Sequence, residues 1–182
     1  MKHVPNMITL FRLLLIPVFV MVFFSSLENR LLYALGIFLL AGATDALDGY
    51  LARKYDVVSV VGIVLDPLAD KLMLLTALVC LFFNSEVPLW ILILMAGVEG
   101  MQILTGIYLY VSKTERVIPA NKFGKTATIL FTIAVALLLI FPFSTLSHWV
   151  LVLAVASKLI SFISYGLSFL GRQKEKQENQ NS

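Results

Sequence analysis

Six apolar runs, at residues 8–26, 31–49, 60–83, 87–111, 126–143 and 147–170, are separated by short polar breaks. Each approaches the ~20 residues with which a helix crosses a ~30 Å hydrocarbon core. In a chain of 182 residues, six such runs leave little other protein to bury them. A transmembrane barrel needs alternating segments of about ten residues, and the sequence lacks them. Composition agrees, because 59% hydrophobic against 14% charged residues is far from the proportions of a soluble domain. The expected fold is an all-α integral membrane protein, a bundle of six transmembrane helices.

Lysine and arginine in short loops set the orientation of such a bundle. With a cytoplasmic N-terminus, the inner side holds Lys2, Arg12, Arg53, Lys54, Lys113, Arg116, Lys122, Lys125, Arg172, Lys174 and Lys176, while the outer loops hold only Arg30. Both termini are therefore expected in the cytoplasm, in a multi-pass protein of the cell membrane. The first run is too long for a signal-peptide core and carries Arg12, so it is expected as a retained helix. Residues 1–171 form the expected membrane domain, and 172–182, polar and without aromatics, an expected disordered tail. The single cysteine, Cys80, excludes an internal disulfide. A net charge of +3 reflects the positive-inside bias and anionic headgroups, and calls for no nucleic acid.

The stretch DALDGYLARKYDVVSVVGIVLDPLAD, residues 45–70, departs from this pattern. An aspartate at the centre of a membrane helix costs roughly 2.5–3.5 kcal/mol on insertion scales, so Asp45, Asp48, Asp66 and Asp70 need compensation. On one helix Asp45, Asp48, Gly49 and Ala52 share a face, with Arg53 a step aside; on the next, Gly62, Asp66 and Asp70 stand at successive i+4 positions. The short link between these helices brings both rows to the cytoplasmic side. Converging carboxylates repel one another unless cations sit among them. Oxygen ligands without His or Cys favour Mg²⁺, Mn²⁺ or Ca²⁺ over zinc, and Mg²⁺ completes its shell with substrate phosphates. Gly49, Ala52 and Gly62 leave room for a bulky ligand, or equally for helix packing. Arg53 suits a phosphate. Asp clusters also mark ion pathways, and a divalent cation transporter is the reading from a different class. The gathering of acids at one side, without broken helices or repeated halves, speaks against it.

Written as DxxDGxxAR, eight residues, then GxxxDxxxD, the stretch resembles the signature of the CDP-alcohol phosphatidyltransferases. PNMITLFR near the N-terminus, DPLADKL around Asp66 and Asp70, and NKFGKTAT at the fifth run are similar to the bacterial phosphatidylglycerophosphate synthases of that family, a likeness spanning about residues 4–170. The resemblance implies transfer of a phosphatidyl group from CDP-diacylglycerol to an alcohol, with release of CMP. It implies that Asp45, Asp48, Asp66 and Asp70 hold Mg²⁺ or Mn²⁺, with Asp70 also the general base. Gly49, Ala52, Arg53 and Gly62 would line the CDP site. It further implies a homodimer.

The acceptor is expected to be glycerol 3-phosphate, with Lys125 and Arg116 in the loop KTERVIPANKFGKTAT as its phosphate ligands, although positive-inside charge accounts equally for that cluster. Two positions depart from the synthases: Val98 stands where they pair Arg with Glu, and Ala127 where they have lysine. Both remove positive charge. AGATDALDGYLAR also resembles the cardiolipin synthases of the same family, whose acceptor would be phosphatidylglycerol. Glu99 lies mid-span and is a functional candidate by its position alone. Lys158 either restores charge, pairs with Glu99, or snorkels outward. Arg12 either anchors headgroups or reaches a substrate phosphate.

Overall fold

The computed structural model describes residues 4–55, 60–111 and 122–181. They form six α-helices: α1 (Val4–Phe23), α2 (Arg30–Tyr55), α3 (Val60–Phe83), α4 (Leu89–Val111), α5 (Lys122–Ile140) and α6 (Thr145–Asn181). There is no strand among the described residues. All six apolar runs are therefore helical, with ends that differ by a few residues from the hydropathy boundaries. The largest differences are at α2 and α6, where helix continues through the sequences YLARKY and GRQKEKQENQN. Hydropathy marks where a segment stops being apolar, whereas a helix stops only where its backbone bonding does.

Among the described residues, Thr145–Ser164 is long and apolar enough to cross a membrane, and shorter apolar helical segments cover Thr9–Phe23, Arg30–Thr44, Leu89–Thr105 and Gly124–Ile140. The core is aliphatic and aromatic, with Phe19, Phe23, Phe38, Leu78, Met95, Phe131, Leu138 and Leu151 all buried. Helix α1 packs on α2 and α3, α3 on α4, and α5 on α6, with α2 also touching α5 and α4 touching α6. Near the start of α5, Gly124 allows a close approach to α6: a Cβ there would stand 3.4 Å from the Ser161 hydroxyl. The outside is greasy, with Leu10, Met21, Leu32, Phe83, Ile93, Leu104, Trp149 and Ile160 exposed. Apolar side chains both inside and out are what a bilayer-facing bundle requires.

One end of the bundle is closed by polar contacts between three short connections. Arg30 donates to the Phe23 carbonyl at 3.1 Å and to the Asn84 side-chain oxygen at 3.0 Å. This ties the α1–α2 turn to the α3–α4 turn. Glu86, whose carboxylate is buried, accepts the Phe143 backbone N–H at 2.8 Å. Its carbonyl lies 2.9 Å from His148 Nε2, so the α5–α6 turn is fastened as well. Ser85 and Phe143 take left-handed φ values of 63° and 60°, an uncommon conformation for non-glycine residues. Because the chain alternates direction, the C-terminal ends of α2 and α4 and the N-terminal ends of α3 and α5 all lie at the opposite end. That end carries the aspartate-bearing stretch.

Candidate functional site

Two helix ends build this site. Asp45, Asp48, Gly49, Ala52 and Arg53 occupy the last three turns of α2, and Gly62, Asp66 and Asp70 the first three turns of α3. The two helices touch and are joined by residues 56–59, so the register that aligns each row along its helix is present in the backbone. Asp70 is half-buried. The side chains of Asp45, Asp48, Gly49, Ala52, Arg53, Gly62 and Asp66 lie outside the described residues, as does Arg116 altogether. Lys125, in the first turn of α5, lies at the same end of the bundle and is exposed.

Among the described residues no three His, Cys, Asp or Glu side chains gather as metal ligands; only Asp70 of the four aspartates belongs to that set. The donor chemistry nonetheless suits a hard divalent cation. Each row offers carboxylates one helical turn apart, on adjoining helices, with oxygen as the only donor element.

Deeper in the bundle is a cluster that the sequence only half discloses. Glu99 on α4, 1% exposed, holds an ammonium at each carboxylate oxygen: Lys158 Nζ lies 2.5 Å from Oε1 and Lys71 Nζ 2.5 Å from Oε2. Lys71 also donates to the Gln102 side-chain oxygen at 2.6 Å. Gln102 is three residues beyond Glu99, hence on the same face of α4. The Lys158 ammonium also stands 6.0 Å from the centre of the Phe131 ring, within cation–π range. Of the alternatives for Lys158, pairing with Glu99 is the one realised, and snorkelling is not: its side chain is 4% exposed.

Val98 and Ala127, the two departures, are both buried against the bundle. A cationic side chain is absent from those places, while Lys158 and Lys71 supply two nearby. Lys71 follows Asp70 inside DPLADKL, a segment whose aspartates dominate its chemistry. An ammonium within an apolar run carries the same insertion penalty that singles out the aspartates, and that is the signal the sequence offers for Lys71. Arg12, on α1, is 1% exposed. It lies inside the protein and not on a headgroup-facing surface.

The sequence matches the CDP-alcohol phosphatidyltransferase family over residues 2–160. The chain belongs to that family. Among related CDP-alcohol phosphatidyltransferases, the CDP-diacylglycerol–glycerol-3-phosphate 3-phosphatidyltransferase of Bacillus subtilis is 36% identical over 173 residues, which cover 84% of this chain and 89% of the relative. The Rickettsia typhi protein of the same name is 32% identical, covering 77% and 78% respectively. That of Pseudomonas fluorescens is 41% identical over 102 residues, 56% of this chain and 52% of its own. For this phosphatidyltransferase, the polar end of the bundle is where the family signature falls, and the Glu99 cluster lies just inside it.

Proposed function

We propose that the protein transfers the phosphatidyl group of CDP-diacylglycerol to glycerol 3-phosphate, giving phosphatidylglycerophosphate and CMP in the synthesis of membrane phospholipid. The observation that carries this reading is the complete signature on two touching helix ends, in a chain 36% identical to a relative that bears the activity's name over nearly its full length. The relatives' names also favour glycerol 3-phosphate over phosphatidylglycerol as acceptor.

The chemistry assigns each group a task. Attack on a phosphorus surrounded by negative oxygens needs charge neutralisation and alignment more than covalent help. Asp45, Asp48, Asp66 and Asp70 would hold divalent cations, Mg²⁺ or Mn²⁺, which neutralise the pyrophosphate oxygens. Gly49, Ala52 and Gly62 leave the α2 and α3 backbones open to the cytidine diphosphate, and Arg53 pairs with its phosphates. Asp70 takes the proton of the acceptor hydroxyl as that oxygen bonds to the phosphorus nearest the diacylglycerol. The bond from that phosphorus to the CMP oxygen breaks, and CMP leaves. Lys125 and Arg116 bind the acceptor's own phosphate.

The exposed apolar exterior supports a six-span bundle in the cell membrane, formed by residues 1–171, with 172–182 as a polar cytoplasmic tail. With the basic loops inside, the site faces the cytoplasm, from which CDP and the acceptor arrive while the acyl chains stay in the bilayer. A homodimer follows from the family likeness.

The test is an assay of the purified protein in liposomes containing CDP-diacylglycerol and Mg²⁺ or Mn²⁺, with glycerol 3-phosphate, phosphatidylglycerol, inositol phosphate and serine offered separately. CMP release is expected with glycerol 3-phosphate. Release with phosphatidylglycerol alone would reassign the chain as a cardiolipin synthase.

A further inference from the structure

The Glu99 cluster contains two ammonium groups and one carboxylate, so it holds one positive charge more than it balances internally. Exposure is graded across it. The side chains of Glu99, Lys158 and Lys71 are 1%, 4% and 17% exposed. Lys158 is the enclosed partner, between Glu99 and the Phe131 ring. Lys71 is the open one, and it follows Asp70 directly along α3. Side chains on a helix lean toward its N-terminus, which for α3 is the end carrying the signature. Gln102, the second acceptor for Lys71, is likewise nearer that end than Glu99, because α4 runs toward it. Two acceptors fix the Lys71 ammonium in place while leaving it one hydrogen to donate.

We propose that Lys71 is a phosphate-binding residue of the reaction site, held ready by Glu99 and Gln102, and that it takes the phosphate of the acceptor. A surplus charge on a half-buried ammonium of an apolar bundle is costly unless an anion comes to it. The ligand chemistry is a phosphate dianion or monoanion, and both substrates carry phosphates. The nucleotide's phosphates belong with Arg53 and the metal-holding aspartates in the reading above, on which this inference rests. The position on the same turn of α3 as Asp70, the base that must reach the acceptor hydroxyl, favours the acceptor's phosphate, whose phosphorus lies three carbons and an ester oxygen from that hydroxyl. Lys158 acts through Glu99: it neutralises the carboxylate, so that the Lys71 charge remains available.

The charge count dictates the experiment. Lys71→Met leaves the Glu99–Lys158 pair neutral and intact, so folding is expected to survive. Lys158→Met leaves the Glu99–Lys71 pair, with the Lys71 charge cancelled. Steady-state CMP release is measured while each substrate is varied in turn, and binding of glycerol 3-phosphate and of inorganic phosphate is measured by calorimetry without turnover. Loss of one charge-assisted hydrogen bond predicts a KM for glycerol 3-phosphate raised about tenfold to a hundredfold in Lys71→Met, with the KM for CDP-diacylglycerol within twofold. Lys71→Arg, which keeps the charge, is expected to retain most of the acceptor affinity, and Lys158→Met to weaken it in the same direction as Lys71→Met. Equal rises in both KM values, a rise confined to CDP-diacylglycerol, or unchanged calorimetric affinity in Lys71→Met would overturn the proposal. A wild-type protein that releases no CMP with glycerol 3-phosphate would instead remove the functional reading, and the acceptor subsite with it.

Discussion

Substituting Glu99 by glutamine removes the carboxylate that buried Lys158 and half-buried Lys71 share and leaves their ammonium groups facing each other across a neutral amide. Each ammonium lies 2.5 Å from its own carboxylate oxygen, which puts the two charges about 6 Å apart and their repulsion near 3 kcal/mol at an effective dielectric of about 20. Breaking buried ion pairs by deleting one partner typically costs about 3–5 kcal/mol, so the two routes agree. For a chain of this size, about 3 kcal/mol corresponds to a fall of about 6–12 °C in the unfolding midpoint. Cys80, the single cysteine, is 1% exposed, so a thiol-reactive fluorophore reports unfolding in detergent without further labelling sites. Lys158→Met, which leaves one neutral pair, is expected to fall by much less. A Glu99→Gln midpoint within 2 °C of wild type, or a larger fall in Lys158→Met than in Glu99→Gln, would refute the charge balance read from the cluster.

Four further outcomes are expected. Asp70→Asn should abolish turnover while keeping the wild-type unfolding midpoint; full activity in that variant would remove Asp70 as the base. Lys125→Ala should raise the KM for glycerol 3-phosphate more than that for CDP-diacylglycerol, and equal changes would count against its place beside the acceptor. Chelation of divalent cations should stop CMP release, with recovery on adding Mg²⁺ or Mn²⁺ but not monovalent salt. Glu86→Ala, which strips the Phe143 N–H of its acceptor, should lower stability by about 1–3 kcal/mol. Both KM values should stay unchanged, because Glu86 fastens the end of the bundle opposite the signature.

Six apolar runs were enough to read six helices, because a segment this greasy must satisfy its own backbone bonds. The spacing from Asp45 to Asp70 was enough to put the acids on two adjoining helix ends. Helix α2 passes Gly49 and reaches Tyr55 because charged residues such as Arg53 and Lys54 are good helix formers, a property that hydropathy does not register. The partners of Glu99 were harder to read. Lys71 and Lys158 lie 28 and 59 residues away in sequence, and only the contacts of α4 with α3 and α6 bring them together. In sequence Lys158 by itself leaves snorkelling open, whereas its pairing with the Glu99 carboxylate is what offsets the cost of its burial. Glu86 and His148, separated by 62 residues, gave no sign of their joint role, because each reads as an ordinary polar residue at a helix end.

The central claim is that a phosphatidyl group moves from the nucleotide to glycerol 3-phosphate at the aspartate-bearing helix ends, and carbon-13-labelled glycerol 3-phosphate tests it most directly. Liposomes bearing CDP-diacylglycerol, the protein and Mg²⁺ are incubated with the labelled acceptor, and lipids and nucleotides are quantified by mass spectrometry. The expected result is one labelled phosphatidylglycerophosphate for every CMP released, with neither formed by Asp70→Asn. CMP accompanied by phosphatidic acid and no labelled lipid would mean hydrolysis in place of transfer, and would contradict the account.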